Sequence, residues 1–133
     1  MTLADLGWND VFDAEFAHFH RNGWKPARLI RDNKISYGAL TIVDGGIEEF
    51  EVVIMCGKVY HDAGTDADLP AVGDWVALEG GGENEDTVIR ARLERQTCLS
   101  RKQAGQSTEE QVIAANVSVV VVVTDAGPDF SPR

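Results

Sequence analysis

The chain has 133 residues, 44% of them hydrophobic, and a formal net charge of −10. This length suits one ordinary domain, or a domain of about 100 residues joined to part of another. There is no run of about 18 apolar residues to cross a membrane, and the first residues lack the basic and apolar regions of a signal peptide. We therefore expect a soluble, cytoplasmic protein.

An amphipathic helix is predicted for residues 10–21, because Phe12, Phe16 and Phe19 fall on one face of a 3.6-residue period. Trp8 precedes this face and is placed to pack against it. Gly23 follows the pattern with the freedom to take the left-handed conformation that ends many helices. The aromatic residues are therefore predicted to be core contacts of a helical N-terminal extension, residues 1–23.

From Trp24 onward the hydrophobic period changes to two, which is typical of β-strands. Gly38 is predicted to be a bulge where a small barrel curves, and residues 44–46 are predicted to form a hairpin turn. The strands are predicted at residues 24–32, 35–43, 50–56, 74–79 and 87–95. Five short strands with this spacing favour a Greek-key barrel, so the predicted fold class is an all-β five-stranded OB-fold barrel with an N-terminal α-helix.

The last predicted strand alternates strictly. Ile89, Ala91 and Leu93 stand between charged residues, which predicts one apolar and one charged face. Residues 61–68 are predicted to be the helix or long loop between strands three and four. The acidic, glycine-rich residues 79–86 argue against RNA contact at the loop between strands four and five.

Residues 98–110 are polar and are predicted to be linker rather than core. Within them, Thr108-Glu-Glu-Gln111 matches a capping box, which predicts a short helical turn. Cys56 and Cys98 are too few and too far apart for a zinc site, and we expect both to be small buried hydrophobes. The three histidines have no useful ligand spacing, so no metal site is predicted.

The run from Val117 to Val123 is almost entirely β-branched and apolar, which is typical of a strand covered on both faces in a parallel sheet. Ser131-Pro132 then has the pattern of a helix start. A buried parallel strand, a loop and a helix start predict the opening of a βαβ unit. We therefore expect the front end of a longer protein, and self-association of this chain through Val117 to Val123.

Four stretches carry a resemblance to a known family. Gln111-Val-Ile-Ala-Ala-Asn-Val117 and Asp129-Phe-Ser-Pro-Arg133 resemble the entry into the circularly permuted GTPase domain of the ribosome small-subunit-dependent GTPase family (RsgA, also called YjeQ). Pro70-Ala-Val-Gly-Asp-Trp-Val76 and Leu93-Glu-Arg-Gln-Thr-Cys-Leu-Ser-Arg101 resemble that family's N-terminal OB-fold domain, in the same order. The resemblance covers roughly residues 24–133. Two positions depart from it, because the family usually has Asp where Ser118 stands and Pro where Glu94 stands.

The resemblance implies a domain order. The OB-fold domain would span residues 24–101, a linker residues 102–110, and the incomplete GTPase domain residues 111–133. The whole protein would bind the small ribosomal subunit and its rRNA late in assembly and hydrolyse GTP, with Mg²⁺ and a zinc module. The phosphate loop and the Asn-Lys-x-Asp base-reading motif are missing from these 133 residues, so the chain is expected to be catalytically silent and to bind no cofactor itself.

Charge along the chain is segregated. Residues 21–34 and 88–102 each carry five basic residues against one acidic residue, a net of +4 per window. Clustered Lys and Arg are what phosphate binding needs. The predicted RNA-contacting residues are Arg28, Arg31, Lys34, Arg90, Arg92, Arg95, Arg101 and Lys102. Solvated strand faces would explain the same pattern, and Tyr37 suits either a stacked base or the core.

Two alternatives to the GTPase interpretation remain open. One is a stand-alone, non-enzymatic OB-fold module that binds protein or single-stranded nucleic acid. The other is a different α/β nucleotide enzyme with a barrel in front. The Val117 to Val123 run argues against the first alternative, because a complete module has no use for an additional buried strand.

Overall fold

The computed structural model describes residues 2–33, 36–52, 54–55, 69–80, 86–102 and 110–124. Within these residues the protein is mostly β, with one α-helix, α1, at Asp10–Phe16. The strands are β1 Lys25–Asp32, β2 Tyr37–Val43, β3 Gly46–Val52, β4 Ile54–Met55, β5 Trp75–Glu79, β6 Val88–Arg92, β7 Cys98–Lys102 and β8 Glu110–Ala115. Two short 3₁₀ helices, Leu3–Leu6 and His20–Asn22, flank α1.

The helix is shorter than the predicted residues 10–21. Asn9 caps its start, since its side-chain oxygen accepts hydrogen bonds from the amides of Val11 and Phe12. After Phe16 the backbone bonds tighten to a three-residue spacing, as in the 2.8 Å bond from Phe19 N to Phe16 O. The chain then turns to Gly23, which has the predicted left-handed conformation with φ of +73°.

Six strands form one sheet in the order β3-β2-β1-β5-β6-β4. All neighbours are antiparallel except β4 and β6, which are parallel. Residue 53 alone separates β3 from β4 in sequence, yet these two strands lie at opposite ends of the order. The sheet therefore curves strongly, consistent with a barrel-like OB fold. The strands agree with the five predicted except that the third begins earlier, at Gly46, and the fifth ends earlier, at Arg92.

The turn between β2 and β3 was predicted correctly. Asp44 and Gly45 both have positive φ, 51° and 79°, and Val43 pairs with Gly46 across them. This is the two-residue hairpin loop whose twist matches that of the flanking strands.

The predicted bulge at Gly38 lies instead in the opposite strand. Leu29 and Arg31 of β1 pair with Ala39 and Gly38 of β2, which leaves Ile30 as the extra residue. A Cβ on Gly38 would lie 2.9 Å from Nε of Arg31, the end of an exposed side chain that can move aside.

Strand β5 is buried on both faces. Val76 and Leu78 face one buried cluster, together with Ala27, Leu29, Tyr37, Ala39 and Ile89. Trp75 and Ala77 face the other way, into a second cluster with Phe12, Phe16 and Leu93. Each large side chain buried in this way stabilises the fold by about 1.5–3 kcal/mol.

The single apolar face predicted for β6 is divided between these two clusters. Ala77 and Leu78 pair with Ala91 and Ile89, so Arg90 is an extra residue on β6. The register shift turns the side chains after it to the opposite face. Ile89 therefore belongs to the first cluster, whereas Leu93 belongs to the second, which contains Phe12 and Phe16 of α1.

The predicted aromatic contacts of the N-terminal extension are confirmed. Phe12 and Phe16 are 1% and 0% exposed, and the Trp8 ring lies 4.8 Å from that of Trp75 and 5.7 Å from that of Phe12. Phe19 is partly buried beside the same cluster. The N-terminal segment thus forms a second layer on the outside of β5.

Residues 98–102 are a strand, not the predicted linker. β7 pairs with β8 in a separate antiparallel two-stranded sheet. Glu110 and Gln111, placed by the capping-box pattern in a helical turn, begin β8. Cross-strand pairing outweighs the polar composition here, because ladder hydrogen bonds need only backbone groups. The domain bounds at residues 101, 110 and 111 stay predictions.

The run from Val117 to Val123 does not form the predicted strand in this structure. The side chains of residues 119–123 are between 57% and 88% exposed. A strand exists only where its N–H and C=O groups pair with a neighbour, and none of the described segments pairs with this one. A GTPase domain that begins here stays a prediction.

Several other sequence predictions fall on residues outside the described part of the chain, and one prediction within it, the burial of Cys98, is wrong. The region of residues 61–68, Cys56, most of the acidic loop and the Ser131-Pro132 helix start lie outside. Cys98, expected to be buried, is a free and exposed thiol. No helix in the described part of the chain is long and apolar enough to pass through a membrane.

Candidate nucleic-acid interface

The two basic windows meet at the turn of residues 71–74, which leads into β5 and is called the Asp74 turn below. Asp74 N bonds to Ala71 O at 3.0 Å, and the Asp74 carboxylate accepts from Ala71 N at 2.7 Å. Gly73, between them, has φ of +93°. The Val-Gly-Asp sequence thus forms a tight turn closed by backbone and side-chain bonds together.

The Asp74 carboxylate is fully buried and neutralised by arginine. Arg95 donates from Nε to Oδ1 at 2.9 Å and from Nη2 to Oδ2 at 2.8 Å, a bidentate pair. Arg92 Nη1 lies 3.9 Å from Oδ1. Arg95 also donates to Leu69 O at 2.8 Å. A carboxylate removed from water needs partners of this kind to remain ionised.

Arg28 reaches the same turn from β1 and bonds only to backbone carbonyl groups. It donates from Nε to Gly73 O at 3.1 Å, from Nη1 to Leu6 O at 2.7 Å and from Nη2 to Asn116 O at 2.9 Å. Burial lowers the pKa of Arg28, and the nearby Asp74 charge opposes that shift. Arg28 therefore joins three separate segments of the chain.

Asn116 is a residue of this site that the sequence analysis did not single out as functional. Its φ is +56°, a conformation that Asn tolerates better than most residues. Its side chain donates to Gly73 O at 3.0 Å and accepts from Gln96 N at 2.9 Å. The sequence signal that could have indicated Asn116 is its position directly after an apolar run, because turn residues are common at such positions.

Close packing at the turn is a second reason for glycine at position 73, besides its positive φ. A Cβ on Gly73 would lie 2.0 Å from Ala115 O. The amide of Ala115 bonds to Val72 O at 2.8 Å, so β8 ends directly against the turn. The Asp74 turn thus joins the barrel to the β7–β8 hairpin.

Three of the remaining predicted RNA-contacting residues, Arg31, Arg90 and Arg101, lie toward the surface. Arg31, 57% exposed, pairs with Glu49, and Arg90, 36% exposed, pairs with Glu79 at 2.9 Å. Arg101 is exposed on β7. The backbone of Lys102 is in β7, and Lys34 lies outside the described residues.

Glu79 is held by two donors from different elements. Arg90 and the Trp24 indole, the latter at 2.6 Å, both bond to its carboxylate, and these bonds lower the pKa of Glu79. Water competes for exposed pairs of this kind, so the pair of Arg90 and Glu79 contributes little to stability.

Tyr37 is a core residue, which rules out the base-stacking alternative in this conformation. It is 8% exposed and donates from its hydroxyl to Pro70 O at 3.1 Å. Burial, with smaller contributions from Asp32 and Asp74, raises its pKa to about 12.

Three guanidinium groups, from Arg28, Arg92 and Arg95, thus lie at the Asp74 turn. The hydrogen bonds of Arg28 and Arg95 hold the fold together, whereas Arg31 and Arg101 are exposed and Arg90 is half-exposed. In the described residues, no three His, Cys, Asp or Glu side chains are grouped to hold a metal ion. The chemistry available here is anion binding by exposed arginine.

Curated proteins named small ribosomal subunit biogenesis GTPase RsgA are similar to the chain along its whole length. The protein from Opitutus terrae is 36% identical and that from Syntrophotalea carbinolica 33% identical, each across 100% of this chain. The RsgA 1 protein of Oceanobacillus iheyensis is 36% identical across 80% of it. The chain spans 37%, 36% and 29% of the lengths of these three relatives. No family model and no solved structure matches it.

Proposed function

Since this chain belongs by sequence to the RsgA family of small ribosomal subunit biogenesis GTPases, we propose that it is the part of such an enzyme that docks onto the small ribosomal subunit and its rRNA. The observation that carries the proposal is similarity across the whole chain to proteins of that name. The barrel-like sheet supports it, because OB folds are frequent carriers of nucleic-acid sites.

The finer architecture is part of the proposal. The strand order, with β3 and β4 at its two ends and one residue between them in sequence, supports a closed five-stranded OB barrel. GTP hydrolysis, the Mg²⁺ that accompanies GTP, a zinc module and cytoplasmic action are proposed for the longer protein. They rest on the family alone.

We propose that the exposed arginines make the rRNA contacts. Arg31, Arg90 and Arg101 offer charge to solvent, and the carboxylate partners of the first two are themselves exposed. Arg28, Arg92 and Arg95 position the Asp74 turn, and their positive charges contribute to the electrostatic field around it. Lys34 and Lys102 remain candidate RNA-contacting residues because they lie in the two basic windows of the sequence.

The test is sedimentation of the 133-residue chain with purified small ribosomal subunits at about 50 and 200 mM salt. Three phosphate contacts would weaken binding roughly 20- to 40-fold over that range. The triple variant Arg31→Gln/Arg90→Gln/Arg101→Gln should bind more weakly and lose most of the salt dependence. A parent and variant of equal affinity and equal salt slope would contradict the assignment.

A matched control separates specific contacts from net charge. The variant Val11→Glu/Ala14→Glu/Ala17→Glu changes the charge by the same three units, at exposed positions of and next to α1. It should keep most of the parental affinity. Equal losses in both triple variants would show that binding depends only on total charge.

A further inference from the structure

The chain leaves the barrel through a tightly held stretch, residues 115–117. The Ala115 amide donates to Val72 O at 2.8 Å, and Val117 O accepts from the Thr97 hydroxyl at 2.7 Å. From residue 118 to residue 124 the chain is exposed to solvent. The boundary between held and exposed chain therefore lies directly after Val117.

Asn116, in the middle of this stretch, has all four of its polar groups in hydrogen bonds. Its amide donates to Thr97 O at 2.7 Å, and its carbonyl accepts from Arg28 Nη2 at 2.9 Å. Its side chain bonds to Gly73 O and to the Gln96 amide. A residue other than glycine keeps a positive φ where its surroundings over-determine the conformation, and these bonds do so for the φ of +56°. Asn116 thus sets the direction in which the following residues leave the barrel.

Two of these bonds lead on to the N-terminal segment. Arg28 also donates from Nη1 to Leu6 O at 2.7 Å, so one guanidinium group binds the N-terminal segment and Asn116 together. The side chain of Gln96 pairs with that of Asn9, while its backbone amide bonds to Asn116. Two separate routes therefore join the N-terminal segment to the point where the chain leaves the barrel.

Gly7 allows the close contact on which the first route depends. Its φ is +101°, and a Cβ there would lie 2.6 Å from Arg28 Nη1, the atom that bonds to Leu6 O. Three carbonyl groups hold this guanidinium, so it cannot move aside without breaking some of those bonds. Gly23 offers a contrast, because its φ is also positive, +73°, but no atom of the described residues lies within 4 Å of an added Cβ.

We propose that the N-terminal segment holds Asn116 in its left-handed conformation and thereby controls the direction in which residues 118–124 leave the barrel. Arg28 and Gln96 are the positioning residues, since each contacts both the N-terminal segment and Asn116. A displacement of the Leu3–Leu6 helix removes one of the bonds that orient Arg28 and so weakens its hold on the Asn116 carbonyl. Because coupling between two sites is reciprocal, loss of the Asn116 contacts should in turn loosen the N-terminal segment. Such coupling is independent of whether the exposed arginines bind RNA.

The forward test is NMR of ¹⁵N-labelled chains, with residual dipolar couplings and order parameters measured at residues 115–117. In the parent these amides should align with the barrel and have order parameters of about 0.85, as rigid backbone does. Gly7→Ala/Gln96→Ala disturbs both routes without changing Asn116, and the order parameters of Asn116 and Val117 should fall below about 0.6. Gly23→Ala should behave as the parent does. Unchanged couplings in the double variant, or equal loosening in Gly23→Ala, would overturn the proposal.

The reverse test uses Asn116→Gly, which tolerates the positive φ but loses both side-chain bonds. Hydrogen exchange should then accelerate about tenfold, a usual size for such coupling, at the amides of Gly7 and Trp8. These amides bond to Ala4 O and Leu3 O within the N-terminal segment. Exchange in the β2–β3 hairpin should stay unchanged. If Asn116→Gly loosens residues 115–117 alone, the bonds are local and the two sites are not coupled.

Circular dichroism and urea denaturation show whether each variant is folded. If Gly7→Ala/Gln96→Ala does not fold, Arg28→Lys takes its place, because lysine keeps the charge but lacks the planar fork that reaches three carbonyl groups. It should loosen Asn116 and Val117 in the same way. Fully ordered residues 115–117 in folded Arg28→Lys would contradict the proposal as well.

Discussion

The side-chain amides of Asn9 and Gln96 hydrogen bond to each other in both directions, each at 3.0 Å. The Asn9 side-chain oxygen also caps α1, and the backbone N–H of Gln96 donates to the side-chain oxygen of Asn116. Asn9 and Gln96 therefore connect the start of the helix, the segment after β6 and the end of β8.

Substitutions at Asn9 should separate these two roles. Asn9→Asp keeps the capping oxygen but loses the donor to Gln96, so we expect a loss of about 1 kcal/mol in the free energy of unfolding. Asn9→Ala loses both and should cost about 1 kcal/mol more. Urea denaturation measures the two values. If they are equal, the cap contributes nothing.

Removal of the buried Asp74 carboxylate should be much more costly. Asp74→Ala leaves the Arg95 guanidinium without its bidentate partner, and breaking a buried pair costs about 3–5 kcal/mol. Glu49→Ala, which breaks the exposed pair with Arg31, should cost less than about 1 kcal/mol. Thermal unfolding of both variants provides the comparison. A similar cost for the two would show that burial of Asp74 has no energetic role.

A pair of glycine substitutions isolates the close packing at the Asp74 turn. Gly45→Ala meets only the strain of a positive φ, because nothing lies within 4 Å of its new Cβ, and should cost about 1 kcal/mol. Gly73→Ala has similar strain and a Cβ 2.0 Å from Ala115 O, so we expect about 3 kcal/mol or more. Chemical denaturation tests this, and hydrogen exchange should show β8 loosened only in Gly73→Ala.

The pKa of Tyr37 predicts a loss of stability at alkaline pH. The folded pKa, about 12, lies above the value of roughly 10 for an unfolded tyrosine. The unfolded state therefore releases the proton first, and Tyr37 reduces the free energy of unfolding as pH rises from about 10 to 12. Tyr37→Phe should remove this part of the pH dependence.

The chain offers a control for that experiment, since Tyr60 is its only other tyrosine. The Tyr60→Phe variant should keep the alkaline slope of the parent. Absorbance at 295 nm reports phenol ionisation directly. If Tyr37→Phe and the parent lose stability in parallel above pH 10, the tyrosine ionises normally in the fold.

The exposed valines of residues 119–123 should drive self-association of this chain. Ending the chain after Gln106 would also remove β8, which contacts the Asp74 turn, so a cut after Val117 is the appropriate variant. It should be monomeric by light scattering at concentrations where the parent associates. Val119→Lys/Val121→Lys is a full-length alternative that should behave in the same way. Association unchanged in both would place the contact elsewhere.

Local sequence patterns predicted the strands well because each was visible within a few residues. Alternation located β1, and the Asp-Gly pair located the hairpin loop. The bulges at Ile30 and Arg90 were not predictable, because a bulge depends on the register with a partner strand. Residues 98–102 were misassigned for the same reason, since their strand exists only through pairing with β8.

The candidate site was only partly predictable. The sequence gives the number of arginines, but it does not show which groups accept hydrogen bonds from their guanidinium N–H donors. Arg28 and Arg31 are three residues apart, yet one binds three backbone carbonyl groups and the other lies on the surface. Only the three-dimensional arrangement separates an arginine that holds the fold from one whose charge is open to solvent.

The contact between Arg28 and Asn116 also constrains how the protein is made. These residues are 88 positions apart, and Asn9 and Gln96 are 87 apart. During synthesis the first strands emerge well before either partner is available, so Arg28 and Asn9 stay solvated until the last part of the domain has left the ribosome. Because such non-local contacts form slowly, we expect completion of this fold to wait until Asn116 has emerged from the ribosome rather than to proceed strand by strand.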